Sequence, residues 1–75
     1  MHNDVRAAIA AEVRAELARQ NKTQREIAEV LRLPQPSVQR RLAGKIPFRG
    51  EELVTLADAL GVPVERFLRV LERAA

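Results

Sequence analysis

Apolar residues in this chain recur at helical intervals, and no stretch alternates with the period of two that a half-buried strand requires. Val5, Ile9, Val13 and Leu17 fall every four residues, with alanines beside them. They predict a first helix from about Asn3 to Arg19, with Asn3 or Asp4 as its cap. Its end is expected near Gln20 and Asn21, because asparagine tolerates the left-handed backbone of a helix terminus. A second helix is announced by Thr23-Gln24-Arg25-Glu26. There the Thr23 hydroxyl and the Glu26 carboxylate can satisfy each other's backbone amides in a capping box. Ile27, Ala28 and Leu31 form its inner face, and Pro34 ends it by forcing Leu33 out of helical conformation.

The third helix is short. Gln35 precedes Pro36 and so suits the cap position, while Pro36 fits the first turn. Val38 and Leu42 form its inner face; Pro36, Arg40 and Ala43 point the opposite way at about 100° per residue, with Ser37 and Gln39 on the flanks. Gly44 stops this helix, and Ile46 and Phe48 in the following loop are candidate core plugs. A fourth helix spans about Gly50 to Leu60, with Leu53, Leu56, Ala57 and Leu60 inward and Gly61 as its stop. A fifth runs from Pro63 to about Glu72 and is expected to bury Val64, Phe67, Leu68 and Leu71. The sum is an all-α, compact five-helix domain over residues 1–75, with no linker, repeat or low-complexity segment.

Composition removes whole classes of chemistry. The 75 residues include no cysteine, so no disulfide or thiolate metal site is available. The single histidine, His2, lies at the fraying N-terminus and offers no ring nitrogen for a buried catalytic or ligand role. Glu51 and Glu52 are adjacent, so they diverge around a helix; with no nucleophile or ligand beside them, their expected task is to complement the helix dipole. No metal, cofactor or small-molecule ligand is expected. No apolar run approaches the roughly 20 residues of a membrane span and no signal peptide is visible, so a cytoplasmic location is expected.

Charge is where the sequence is uneven. The formal net charge is +3, but residues 19–49 carry Arg19, Lys22, Arg25, Arg32, Arg40, Arg41, Lys45 and Arg49 against Glu26 and Glu29, a net of +6. The remainder of the chain nets −3. Such asymmetry suits a face directed at a polyanion. Its centre is the window from Gln24 to Leu42, in which two short helices meet across a tight turn and the second shows a polar, partly basic face. A helix entering the DNA major groove needs that layout: apolar anchors behind, and first turns free to reach base edges.

The Thr23-Gln24 start, the Ile27-Ala28…Leu31…Leu33…Val38 spacing, Gly44-Lys45 and Leu56-Ala57…Leu60-Gly61-Val62 together resemble the helix-turn-helix family of phage repressors and Cro proteins. This resemblance covers about Ile9 to Leu68. It implies a lambda-repressor-like domain with its helix-turn-helix at about residues 23–43, binding a double-stranded DNA operator. By position it assigns base readout to Gln35, Pro36, Ser37, Gln39 and Arg40. Backbone contact falls to Gln24, Thr23, Arg32, Arg41, Lys45 and Arg49.

Three positions depart from the pattern. Arg32 stands where the family usually has a glycine of positive φ, at a cost on the order of 1 kcal/mol. Arg41 replaces an apolar residue and is left to a phosphate or a salt bridge. Pro36 can offer a base only apolar contact.

A lone short reading helix buries little surface, so an inverted-repeat operator and a homodimer are expected. Val70 is read as facing away from Phe67 and Leu71, which assigns the dimer contact to residues 62–73 through Val62, Val64, Arg66 and Val70. The expected role is a phage or prophage repressor or Cro-like regulator, with no enzymatic activity. An antitoxin-type autorepressor, the N-terminal domain of a longer regulator, and a helical protein-interaction module without DNA contacts remain as alternatives.

Overall fold

The first two helices begin where a side chain supplies a partner for the backbone amides that a helix start leaves free. In the computed structural model, which describes residues 4–74, the elements are α1 (Val5–Arg19), α2 (Gln24–Leu31), α3 (Gln35–Leu42), α4 (Gly50–Leu60), a 3-10 helix (Val64–Leu68) and α5 (Arg69–Ala74). Asp4 caps α1 by accepting from the Ala7 amide at 3.2 Å; Asn3 and His2 lie outside the described residues. The capping box of α2 is complete, with Glu26 N donating to Thr23 Oγ1 at 3.1 Å and Thr23 N to Glu26 Oε1 at 2.8 Å.

The first four helices all close by one device. A residue with positive φ follows the last helical turn, and the next amide reaches back to a carbonyl five residues earlier. The bonds are Lys22 N to Leu17 O (2.9 Å), Leu33 N to Ala28 O, Lys45 N to Arg40 O and Val62 N to Ala57 O (each 3.0 Å). The left-handed residues are Asn21, Arg32, Gly44 and Gly61, at φ of 56°, 58°, 78° and 69°. Gly44 is required twice over, since a Cβ there would stand 3.0 Å from the Ala7 Cα of α1.

Val13, Leu17, Ile27, Ala28, Val38, Leu42, Leu53, Leu56, Ala57, Leu60 and Phe67 make one core to which every helix through the 3-10 segment contributes. Full burial of a Val, Leu, Ile or Phe side chain is worth roughly 1.5–3 kcal/mol, so this shared cluster holds the short helices in place. α2 packs on α3 and α4, and α1 on α3, the 3-10 helix and α5. Phe48 and Ile46 are both half-buried, and Phe48 packs against the core from its loop, as expected.

Two expectations are corrected. α3 starts at Gln35, with Pro34 rather than Gln35 in the cap position at φ −62° and ψ 148°. The last helix is not a single α-helix, and that changes which residue faces inward. Val64–Leu68 winds as a 3-10 helix, at three residues per turn, so i and i+3 eclipse. Val70 therefore falls in line with Phe67 and is buried, while Leu71 is turned out and 46% exposed. The expected order, Leu71 in and Val70 out, is reversed.

Candidate nucleic-acid interface

α3 is held against the domain on one side and left open on the other. Val38 and Leu42 are buried, while Gln35, Pro36, Gln39, Arg40 and Ala43 are exposed. The exposed set collects the long donors of Gln39 and Arg40 with Gln35 at the first turn, so amide and guanidinium groups project from one short helix. These are the groups that pair bidentately with adenine and guanine in the major groove. Two connections fix the helix from behind. An Arg14 guanidinium nitrogen from α1 donates to the Leu42 carbonyl, satisfying a C-terminal acceptor of α3. Arg41 Nε donates to Glu52 Oε1 of α4 at 2.9 Å.

Not every expected contact residue is free to face a ligand. Arg41 is buried, and its Nη1 donates to Ser37 Oγ at 2.5 Å and to Ser37 O at 3.2 Å. Of the two roles open to it, it takes the salt bridge. Ser37, expected at base edges, has its hydroxyl engaged by Arg41 and is half-buried. Thr23 is exposed but occupied by its capping box. Gln24, the first residue of α2, is exposed beside it.

Lys22, Arg25, Arg32, Arg40, Lys45 and Arg49 are all exposed. Arg32 holds the left-handed position of the α2–α3 turn, as the resemblance implied for that site. Arg49 flanks the α4 N-terminus and approaches Glu51 at 4.0 Å; both side chains are largely exposed, so the pair is weak. Arg32 and Arg49 also border an open groove of about 380 Å³ between the α2–α3 turn and α4, floored by Val30, Leu31 and Leu33. The +6 segment is thus thinned inside by the Arg41–Glu52 pair and keeps its charge outside.

Two buried carboxylates were not legible as such. Glu52, read as a dipole partner, also accepts from the Arg49 amide at 2.8 Å through the oxygen that binds Arg41. Glu16 is buried in α1 and accepts from Gln20, Arg19 and Arg66. Gln20's hydrogen bond, followed by those from Arg66 and Arg19, holds the Glu16 carboxyl below the ordinary carboxylate range, against the upward push of burial. Arg66, expected at a dimer contact, pairs with Glu16 of its own chain at 3.1 Å.

Among the described residues no helix is long and apolar enough to cross a membrane. No group of three or more His, Asp or Glu side chains gathers there as a metal site would require.

Comparison with known proteins bears directly on this geometry. The helix-turn-helix family profile matches residues 13–67, from the middle of α1 to Phe67. The chain belongs to the Cro/C1-type helix-turn-helix family. Two crystal structures of the clp gene regulator ClgR from Corynebacterium glutamicum share the fold. One is 30% identical with a TM-score of 0.78, over 85% of this chain and 83% of the other. The second is 28% identical with a TM-score of 0.81, over 93% and 81% respectively. No curated protein sequence matches the chain. Family and fold make it a DNA-binding transcriptional regulator whose ligand is double-stranded DNA.

Proposed function

We propose that this helix-turn-helix protein is a sequence-specific regulator that reads an inverted-repeat operator as a homodimer, in the manner of phage repressor and Cro-like switch proteins. The observation that carries the reading is the exposed edge of α3, where Gln35, Gln39 and Arg40 stand clear of a helix pinned from behind. Gln39 and Arg40 are the principal base readers, Gln35 reaches from the first turn, and Pro36 offers only a small apolar surface. Gln24, Lys45, Arg49 and Arg32 bind phosphates on either side. These contacts set the register on the duplex and give salt-dependent, sequence-blind affinity.

Leu71, exposed on α5, replaces the buried Val70 in the dimer contact, with the half-buried Val62 and Val64 as further candidates. A second reading has specific support: the structural likeness to a clp gene regulator favours control of bacterial genes over a phage switch. Selection of bound duplexes from a random pool tests the central reading. An enriched inverted repeat, with log K falling steeply on log salt, is the expected result. Enrichment of no sequence, or no duplex binding at low salt, refutes it.

A further inference from the structure

We propose that the buried Arg41–Glu52 pair is a positioning device for base recognition, one that sets the rotation of α3 about its own axis. The inference rests on the reading that α3 contacts base edges. α3 is only eight residues long, and Pro34 provides no side-chain cap for it. Its apolar anchorage is the single narrow stripe of Val38 and Leu42. Apolar contact is non-directional, so one stripe fixes how close the helix lies but constrains its roll weakly. Roll matters at the base edges: with side chains reaching about 5–6 Å from the axis, a turn of about 10° moves their tips by about 1 Å. That exceeds the roughly 0.5 Å within which a recognition group must be held.

Arg41 lies on the flank of the stripe, about 60° from Val38 on the helical wheel, where a tether resists roll best. Its guanidinium is fixed by Ser37 one turn earlier, at 2.5 Å from Oγ and 3.2 Å from the carbonyl. The Nε–H points at Glu52 Oε1, 2.9 Å away. That same oxygen accepts from the Arg49 amide at 2.8 Å, at the N-terminus of α4. A single carboxylate oxygen therefore joins the base-reading helix to the residue proposed to hold a phosphate. The two side chains are only 10% and 11% exposed. A buried ion pair adds little stability over an apolar pair of similar volume, because desolvation offsets the attraction. The planar guanidinium contributes direction, which apolar contact lacks.

The test compares the parent with the double variant Arg41→Met/Glu52→Gln. Its new side-chain amide keeps an acceptor for the Arg49 backbone N–H, and no lone buried charge remains. Arg41→Lys keeps the charge without the fork. Each is melted, then titrated with the parent's selected duplex and with a random duplex of equal length. The double variant is expected to melt within about 4 °C of the parent. It should bind the random duplex within about threefold of the parent and lose about tenfold or more on the selected one. Arg41→Lys should keep only part of the parent's ratio of selected to random binding. A ratio unchanged in the folded double variant overturns the proposal while leaving base reading intact. Equal losses on both duplexes with a matching fall in melting temperature also overturn it, since the pair is then merely structural. A parent without sequence preference removes base reading, and this inference with it.

Discussion

Replacing Arg32 by glycine should make the protein more stable and bind DNA less well, which separates the two demands on the α2–α3 turn. Arg32 sits at φ 58° and ψ 44°. A side chain there meets the following carbonyl at a cost of roughly 1–2 kcal/mol that glycine does not bear. Glycine gives back about 0.5–1 kcal/mol through the greater freedom of its unfolded chain. The net gain is about 0.5–1 kcal/mol, which raises the melting temperature of a domain of this size by about 3–6 °C. The turn's hydrogen bonds, Leu33 N to Ala28 O at 3.0 Å and Arg32 N to Glu29 O at 3.3 Å, involve only backbone and survive the change.

Two controls isolate the cause. Arg32→Ala keeps the strained Cβ and removes the charge, so it should stay within about 0.5 kcal/mol of the parent. Asn21→Gly relieves a second left-handed non-glycine site, and should gain less because asparagine adopts that conformation more readily. Thermal unfolding followed by circular dichroism provides the readout, with duplex titration of the same samples. Arg32→Gly and Arg32→Ala should lose equal affinity, since both lack the cation. A glycine variant that melts at or below the parent refutes the reasoning: the side chain then stabilises the turn by more than its backbone conformation costs.

Gly44→Ala adds a Cβ 3.0 Å from Ala7 Cα at a left-handed site, and denaturant titration should show a loss of about 2 kcal/mol or more. Glu16, whose pKa is lowered from 4.5 by Gln20, Arg66 and Arg19, contributes stability that is fully present above the unfolded value and lost as pH falls through the lower folded one. Melting curves taken on acidification below about pH 4.5 should fall more steeply for the parent than for Glu16→Gln; parallel curves contradict this. Arg40→Ala should relax preference at one or two base pairs, each worth roughly 1–3 kcal/mol, whereas Lys45→Ala should weaken all duplexes alike and reduce the salt slope by about 1. Leu71→Glu should leave the melting temperature of dilute protein unchanged yet shift sedimentation toward the monomer. Val70→Ala, which hollows the core, should lower stability by about 1–2 kcal/mol with no such shift.

Features carried by one stretch of chain were legible in advance. The Thr23–Glu26 capping box, the Gly50–Leu60 helix with its four inward residues, and the stops at Asn21, Gly44 and Gly61 all depend on neighbours within one or two turns. The open face of α3 followed from the same local geometry, because Val38 and Leu42 leave only one side for Gln39 and Arg40. The fates of the charged residues were not legible. Whether Arg41 meets a phosphate or Glu52, and whether Arg66 finds a carboxylate in its own chain, depends on partners 11 and 50 residues away. Helical spacing says which face a residue occupies, not what lies opposite. The inversion of Val70 and Leu71 has another cause: a change from 3.6 to three residues per turn rotates everything beyond it, and the packing of Val64–Leu68 on α1 and α4 accompanies that change. Local sequence thus determined the helices and the exposed side of α3. Tertiary packing decided which cations remain outside, which carboxylates are enclosed, and which apolar residue of the last helix is exposed, because those outcomes depend on what the other helices bring against each face.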